Sequence, residues 1–331
     1  MKKTIILLGS VLFATAASAQ SNESIVSQTG DNHEITVTQT GQTNFSTADQ
    51  QVDGNEAEIT QEGLTNQSYL LQVGIENSTT VDQNGSFNIS DVFQNGQENV
   101  AMVDQVGSSN TGVIYQVNDA GGSSNNSSII QEGNSNYAYS DIFGRENETT
   151  ITQWGNGNTG YQFVEGAGNM ATITQGEALT GFASSQSSFA QQEQYGIDNT
   201  STITQRGQGQ FAIQYSEGND NEVTAYQGND GNFSRQVQIG NGNVANTQQY
   251  FSTNQSLQEQ IGNDNTAITR QTGPGAGFNF STVAQSGNEN YALTSQNGDT
   301  NGSAVTQLGL DHSSVVTQLG AGNASDVLQQ N

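Results

Sequence analysis

Cysteine is absent from this 331-residue sequence, so it can form no disulfide and no thiolate-held metal site. Positive charge is nearly absent too. Lys2, Lys3, Arg145, Arg206, Arg235 and Arg270 stand against 32 Asp and Glu, giving a formal net charge of −26. That excludes a basic nucleic-acid surface and a polybasic membrane anchor. Proline occurs once, at Pro274. Apolar residues make up 31% of the chain, against roughly 45–50% in ordinary soluble domains, which argues against a conventional globular core. The apolar run from Thr4 to Thr15 is too short to span a bilayer. With Lys2 and Lys3 before it and Ala17-Ser18-Ala19 after it, it reads as an export signal over residues 1–19. Residues 20–331 are then the exported chain.

Low hydrophobicity with high net charge can also mean disorder, but disorder leaves no long-range order in residue positions. This chain has such order. Gln28, Gln39, Gln50, Gln61, Gln72, Gln83, Gln94, Gln105 and Gln116 lie eleven residues apart. The register resumes at Gln131, Ile142, Gln153, Val164 and Gln175 after an insertion near 117–125. After a second insertion near 176–188 it runs from Gln194 through Gln205, Gln238 and Gln260 to Gln271. After a third near 274–278 it continues from Gln285 through Gln307 and Gln318 to Gln329. Of 27 units, 24 carry glutamine at this anchor, 21 have glycine two residues later and 20 have asparagine five residues later. A period this regular means a stacked array.

Each unit reads as one strand and one turn. The residues four and two before the anchor share its face, as in Ala57, Ile59 and Gln61, and carry neither charge nor ring in any unit. The position four before the anchor is Ala, Ser, Thr or Gly everywhere except Ile35 and Val223. Acids and rings such as Glu58, Asp82, Asp104, Tyr69, Phe93 and Tyr115 fall on the other face. In Gln-x-Gly-x-x-Asn, glycine and asparagine are expected to take the positive φ values where the chain reverses. Inward Gln192, Gln214, Gln236 and Gln258 recur every 22 residues, so two units should close one flattened coil. The expected fold is an all-β, two-sheet β-solenoid of 22-residue coils with cross-β stacking.

Amide columns should hold such coils together. The candidate glutamine positions are Gln39, Gln50, Gln61, Gln72, Gln83, Gln94, Gln105, Gln153, Gln205, Gln238, Gln260, Gln307 and Gln318. The candidate asparagine positions are Asn44, Asn55, Asn66, Asn77, Asn88, Asn99, Asn158, Asn199, Asn243, Asn265 and Asn323. Turn glycines are expected at Gly41, Gly63, Gly74, Gly85, Gly96, Gly107, Gly155, Gly207, Gly240, Gly262, Gly309 and Gly320. The repeats run from Asn22 to Gln329 with no atypical capping unit at either end. Open ends of this kind are expected to template further molecules.

The N-x-A/S-x-V/I-x-Q-x-G-x-x-N pattern, as in Asn55 to Gln61 with Gly63 and Asn66 or Asn301 to Gln307 with Gly309, resembles the curlin repeat of curli subunits, which are secreted bacterial functional amyloids. The resemblance implies a self-assembling subunit of extracellular, pilus-like fibres for biofilm matrix and adhesion. It also implies an outer-membrane secretion channel and a nucleator as partners. The chain could be a major subunit or itself a nucleator, and a monomeric β-solenoid adhesin is the rival reading.

Chemical sites fare less well. His33 and His312 both occupy the asparagine position of the repeat and read as substitutes in the column, not as ligands or catalysts. The acids read as a solvated face, scattered where a polysaccharide-degrading β-helix would cluster them. The turn Gly218-Asn219-Asp220-Asn221 could hold calcium but lacks the nonapeptide repeat of calcium-binding rolls. No catalysis, cofactor, metal, nucleic-acid partner or membrane insertion is expected. Of 23 rings beyond the export signal, 19 fall at outward strand positions, which suits either strand propensity or a contact surface.

Overall fold

In the computed structural model, residues 21–118, 124–176, 185–273 and 278–331 are described. The expected export signal over residues 1–19 and parts of the three insertions lie outside the described residues. Strands alternate with tight turns, and there is no helix among the described residues. Every strand but the two-residue Ser185–Gln186 is six to nine residues long. They form two parallel sheets. The first begins with Glu23–Asp31, Phe45–Asp53 and Gln67–Ile75, and the second with Glu34–Gln42, Glu56–Leu64 and Ser78–Ser86. The chain lays one strand in each sheet per coil, so neighbours within a sheet are two units apart in sequence. Gln61 lies opposite Gln83 and Gln50 opposite Gln72. About thirteen coils stacked at ~4.8 Å make a rod on the order of 65 Å long.

The insertions leave the stack intact. Gln105 pairs with Gln131, Gln175 with Gln205 and Gln260 with Gln285, so the register is the same on both sides of each insertion. A slip of one residue would turn outward strand acids such as Glu58 and Asp82 inside, which is why register is specified so strongly.

Between the sheets the interior is thin. Ala57, Ile59 and Gln61 are 2%, 0% and 0% exposed. Ile59, Val81, Val103, Ile129, Ile151, Ile173 and Ile203 form an apolar column along the rod. Burying each contributes roughly 1.5–3 kcal/mol. Small residues beside them let the sheets approach.

The turns correct one expectation. Glycine does take positive φ, +115° at Gly63, and a Cβ there would collide with the carbonyl oxygen of Gly85 in the next coil. The column asparagines do not. The left-handed residue is the one before them, Thr43 (φ 59°), Thr65 (φ 57°) or Glu76 (φ 54°). Asparagine is held at its position by its hydrogen bonds instead.

Candidate functional site

Second-sheet glutamines form one unbroken column from Gln39 through Gln61, Gln83, Gln105, Gln131, Gln153, Gln175, Gln205, Gln227, Gln249, Gln271 and Gln296 to Gln318. Each Nε2 donates to the Oε1 of the next coil, as Gln61 does to Gln83 at 2.8 Å. The second amide proton goes to a backbone carbonyl of the opposite sheet, Phe45 O at 3.0 Å for Gln61. One side chain therefore ties coil to coil and sheet to sheet. Both protons are used, which is what makes a buried carboxamide tolerable.

The first sheet repeats this from Gln28 to Gln116 and from Gln238 through Gln260, Gln285 and Gln307 to Gln329. Between those stretches the anchor is Ile142, Val164, Gln194 and Ser216. There the amide column moves two residues along the strand, running Gln162, Gln192, Gln214, Gln236 and Gln258. The switch leaves Gln162 Oε1, Gln194 Oε1 and Gln238 Oε1 buried without a partner, because the coil before each has Ser140, Val164 or Ser216 in place of a donor glutamine.

The asparagines run with the opposite sense. Asn66 N donates to Asn44 Oδ1 at 3.0 Å, and Asn77 Nδ2 donates to Asn55 Oδ1 at 3.0 Å. The amide also closes its own turn, as Asn66 Nδ2 does on Glu62 O, and reaches the next coil at Gly85 O, both at 3.1 Å. Each coil thus shows glutamine N–H and asparagine Oδ1 on one face, and glutamine Oε1 and asparagine N–H on the other. The two faces complement each other.

His33 works as an asparagine. Its Nδ1 accepts from Asn55 N at 3.3 Å, while Nε2 lies 3.3 Å from Thr29 O. His312 accepts nothing similar but sits alike, with its backbone N donating to Asn290 Oδ1 at 3.1 Å and Nε2 3.0 Å from Leu308 O. The expectation missed Asn125 and Asn279, which bond to Asn99 and Asn254 in the same columns. Insertions remove them from the count forward of the preceding glutamine. Counting six residues back from Gln131 and Gln285 finds them. Gln162 was missed for the same reason, since the second insertion hides its period with Gln192.

Outside, the carboxylates crowd. Burial pushes the Asp104 carboxyl up, and the charges of Asp82 and Glu132 beside it push it further. Burial also raises Asp91 and Asp141. Rings are not shared evenly. Fifteen stand on first-sheet strands, and only Trp154, Tyr226 and Tyr291 on second-sheet strands. No three potential metal-ligating side chains gather among the described residues.

The curlin associated repeat matches this chain over residues 18–41, 35–63, 53–85, 122–154, 144–176 and 287–320. No curated protein matches it.

Proposed function

We propose that this chain, which belongs to the curlin-repeat family, is a structural subunit of a curli-like extracellular fibre and grows by stacking the coils of one molecule on those of the next. The β-solenoid and its repeats are those of a structural protein; polymerisation is the further step. The observation that carries it is the opposed sense of the two amide columns. A coil whose faces complement each other, and not themselves, adds copies head to tail with one polarity. The bonds at such a junction are those already made between coils inside the rod. In the same reading the chain is exported, passes a curli-type outer-membrane channel, meets a nucleator and enters the biofilm matrix as an adhesive fibre.

The test is electron microscopy and fibre diffraction of residues 20–331 after dilution from denaturant. The expected outcome is thioflavin-positive fibres with a meridional reflection near ~4.8 Å. A β-rich protein that stays monodisperse for days at high concentration overturns polymerisation and favours the solitary adhesin.

A further inference from the structure

The outer surface of the first sheet carries an ordered pattern. On Tyr137–Arg145 the positions before and after the anchor are Asp141 and Phe143. On Thr159–Ala167 they are Phe163 and Glu165, on Phe189–Ile197 Glu193 and Tyr195, and on Phe211–Asn219 Tyr215 and Glu217. These strands are consecutive neighbours in the sheet. Ring and acid therefore exchange places at every coil. The rings form one zigzag, with centroids 5.8 Å apart for Phe143–Phe163, 5.4 Å for Phe163–Tyr195 and 5.6 Å for Tyr195–Tyr215. The four acids form the complementary zigzag.

The second sheet bears a matching row of donors. Arg206 follows the anchor Gln205, Tyr226 precedes Gln227, Tyr250 follows Gln249 and Arg270 precedes Gln271. Their strands are consecutive as well. This row zigzags too: the Arg206 guanidinium lies 5.5 Å from the Tyr226 ring centre, the two tyrosine rings are 5.4 Å apart, and Arg270 lies 5.7 Å from Tyr250.

We infer that this acid-and-ring face docks side by side onto the Arg–Tyr–Tyr–Arg face of a second copy of this chain, with the two rods running in opposite directions. Turning a copy end over end about the normal to its sheets makes its facing strands run the same way as those they meet, while its coils count backwards. With no sideways shift, Asp141 then meets Arg270, Glu165 meets Tyr250, Glu193 meets Tyr226 and Glu217 meets Arg206. Every acid of the zigzag faces a donor. Phe143 and Tyr215 meet Thr272 and Thr204, and Phe163 and Tyr195 meet Gln248 and Gly228. Along the eleven strand pairs that overlap in this register, no carboxylate at an outward strand position meets another. Glu222, for instance, falls opposite Phe189, and Glu259 opposite Thr152.

Charge and area both support this partner. A chain of net charge −26 has few surfaces that can approach a copy of itself, and this register brings two of its four arginines onto acids. Eleven strands at ~4.8 Å, each ~25 Å long, offer on the order of 1,300 Å² per face, enough for a stable interface. The contact is heterologous. Each rod uses both sheets, so pairing extends into flat ribbons.

The contact lies on the side of the rod and does not depend on end-to-end growth. The chain has no cysteine, so introduced thiols report it directly, in single rods or in fibres. Glu165→Cys protein is mixed with Tyr250→Cys protein and, separately, with Tyr226→Cys protein, under mild oxidation. A disulfide-linked pair in the first mixture and none in the second is expected. Equal linkage in both, linkage only through Tyr226→Cys, or none overturns the antiparallel contact. In a second arm, Arg206→Glu with Arg270→Glu should abolish side-by-side ribbons in micrographs and leave rod length and circular dichroism unchanged. Adding Asp141→Arg and Glu217→Arg to the same chain should restore them. Ribbons that survive the first pair of changes, or are not restored by the second, count against the pairing.

Discussion

Gln61 donates to Gln83 at 2.8 Å and, with its other amide proton, to Phe45 O at 3.0 Å. The first bond follows the rod and the second crosses it, so neither sheet can move without stretching an amide bond. Replacing Gln61, Gln83 and Gln105 by alanine takes a donor from Phe45 O, Gln67 O and Ile89 O, and one partner each from the Gln39 and Gln131 carboxamides. Each such loss costs about 1–3 kcal/mol. Replacing outward Glu58, Asp82 and Asp104 removes charge from a solvated face and is expected to change stability by less than about 0.5 kcal/mol each. Denaturant midpoints and fibre lag times of the two triple variants check this. Equal effects would remove the amide columns as the source of cohesion.

Gly63 is required by its neighbour as much as by its own φ of +115°. A methyl group there meets Gly85 O of the next coil, in a stack that repeats the same approach at Gly85 and Gly107. Gly63→Ala is expected to cost about 3 kcal/mol or more. Gly320→Ala, at the same turn position with nothing within 4 Å of the added Cβ, carries only the penalty of its own φ of +96°. Comparing the thermal midpoints of the two separates the collision from backbone strain.

The coil was legible in the sequence because its two signals are both local. Ala57, Ile59 and Gln61 alternate with Glu58 and Thr60, and the same triad returns eleven residues on. The turn was only half legible. A glycine at φ +115° announces itself, whereas Thr65 at φ 57° does not, because the hydrogen bonds of Asn66 hold the preceding residue in a conformation that its own side chain disfavours. The column shift at Ile142 and Val164 was readable as a change of residue type, but its compensation at Gln162 lay across an insertion. The division of rings between sheets was present in the parity of the units. Outward positions taken together conceal it, since Tyr115 and Trp154 look equivalent until alternate units are assigned to different sheets.

His33 serves the asparagine column through Nδ1, which accepts from Asn55 N at 3.3 Å. Asparagine can supply the same acceptor and alanine cannot. At one fixed pH, protection of the Asn55 amide against hydrogen exchange is therefore expected to be similar in the natural chain and in His33→Asn. It should fall in His33→Ala. An Asn55 amide that is equally protected in all three would show that the coil's other bonds suffice.

Acid strengthens the rod through its carboxylates. Burial, then the charges of Asp82 and Glu132, raise the Asp104 carboxyl above its ordinary value, and burial raises Asp91 and Asp141. A carboxyl whose folded value is raised binds its proton more tightly in the rod than in the unfolded chain. Between the unfolded and folded values the rod holds more protons, so its stability falls as pH rises through that window and is lowest above it. Lowering the pH from neutral toward the ordinary carboxylate range should therefore raise the denaturant midpoint and shorten fibre lag times. Salt should do part of the same at neutral pH by screening the stacked acids. Asp104→Asn should flatten the pH dependence, and a slope unchanged by that substitution would mean the acid stack does not control assembly.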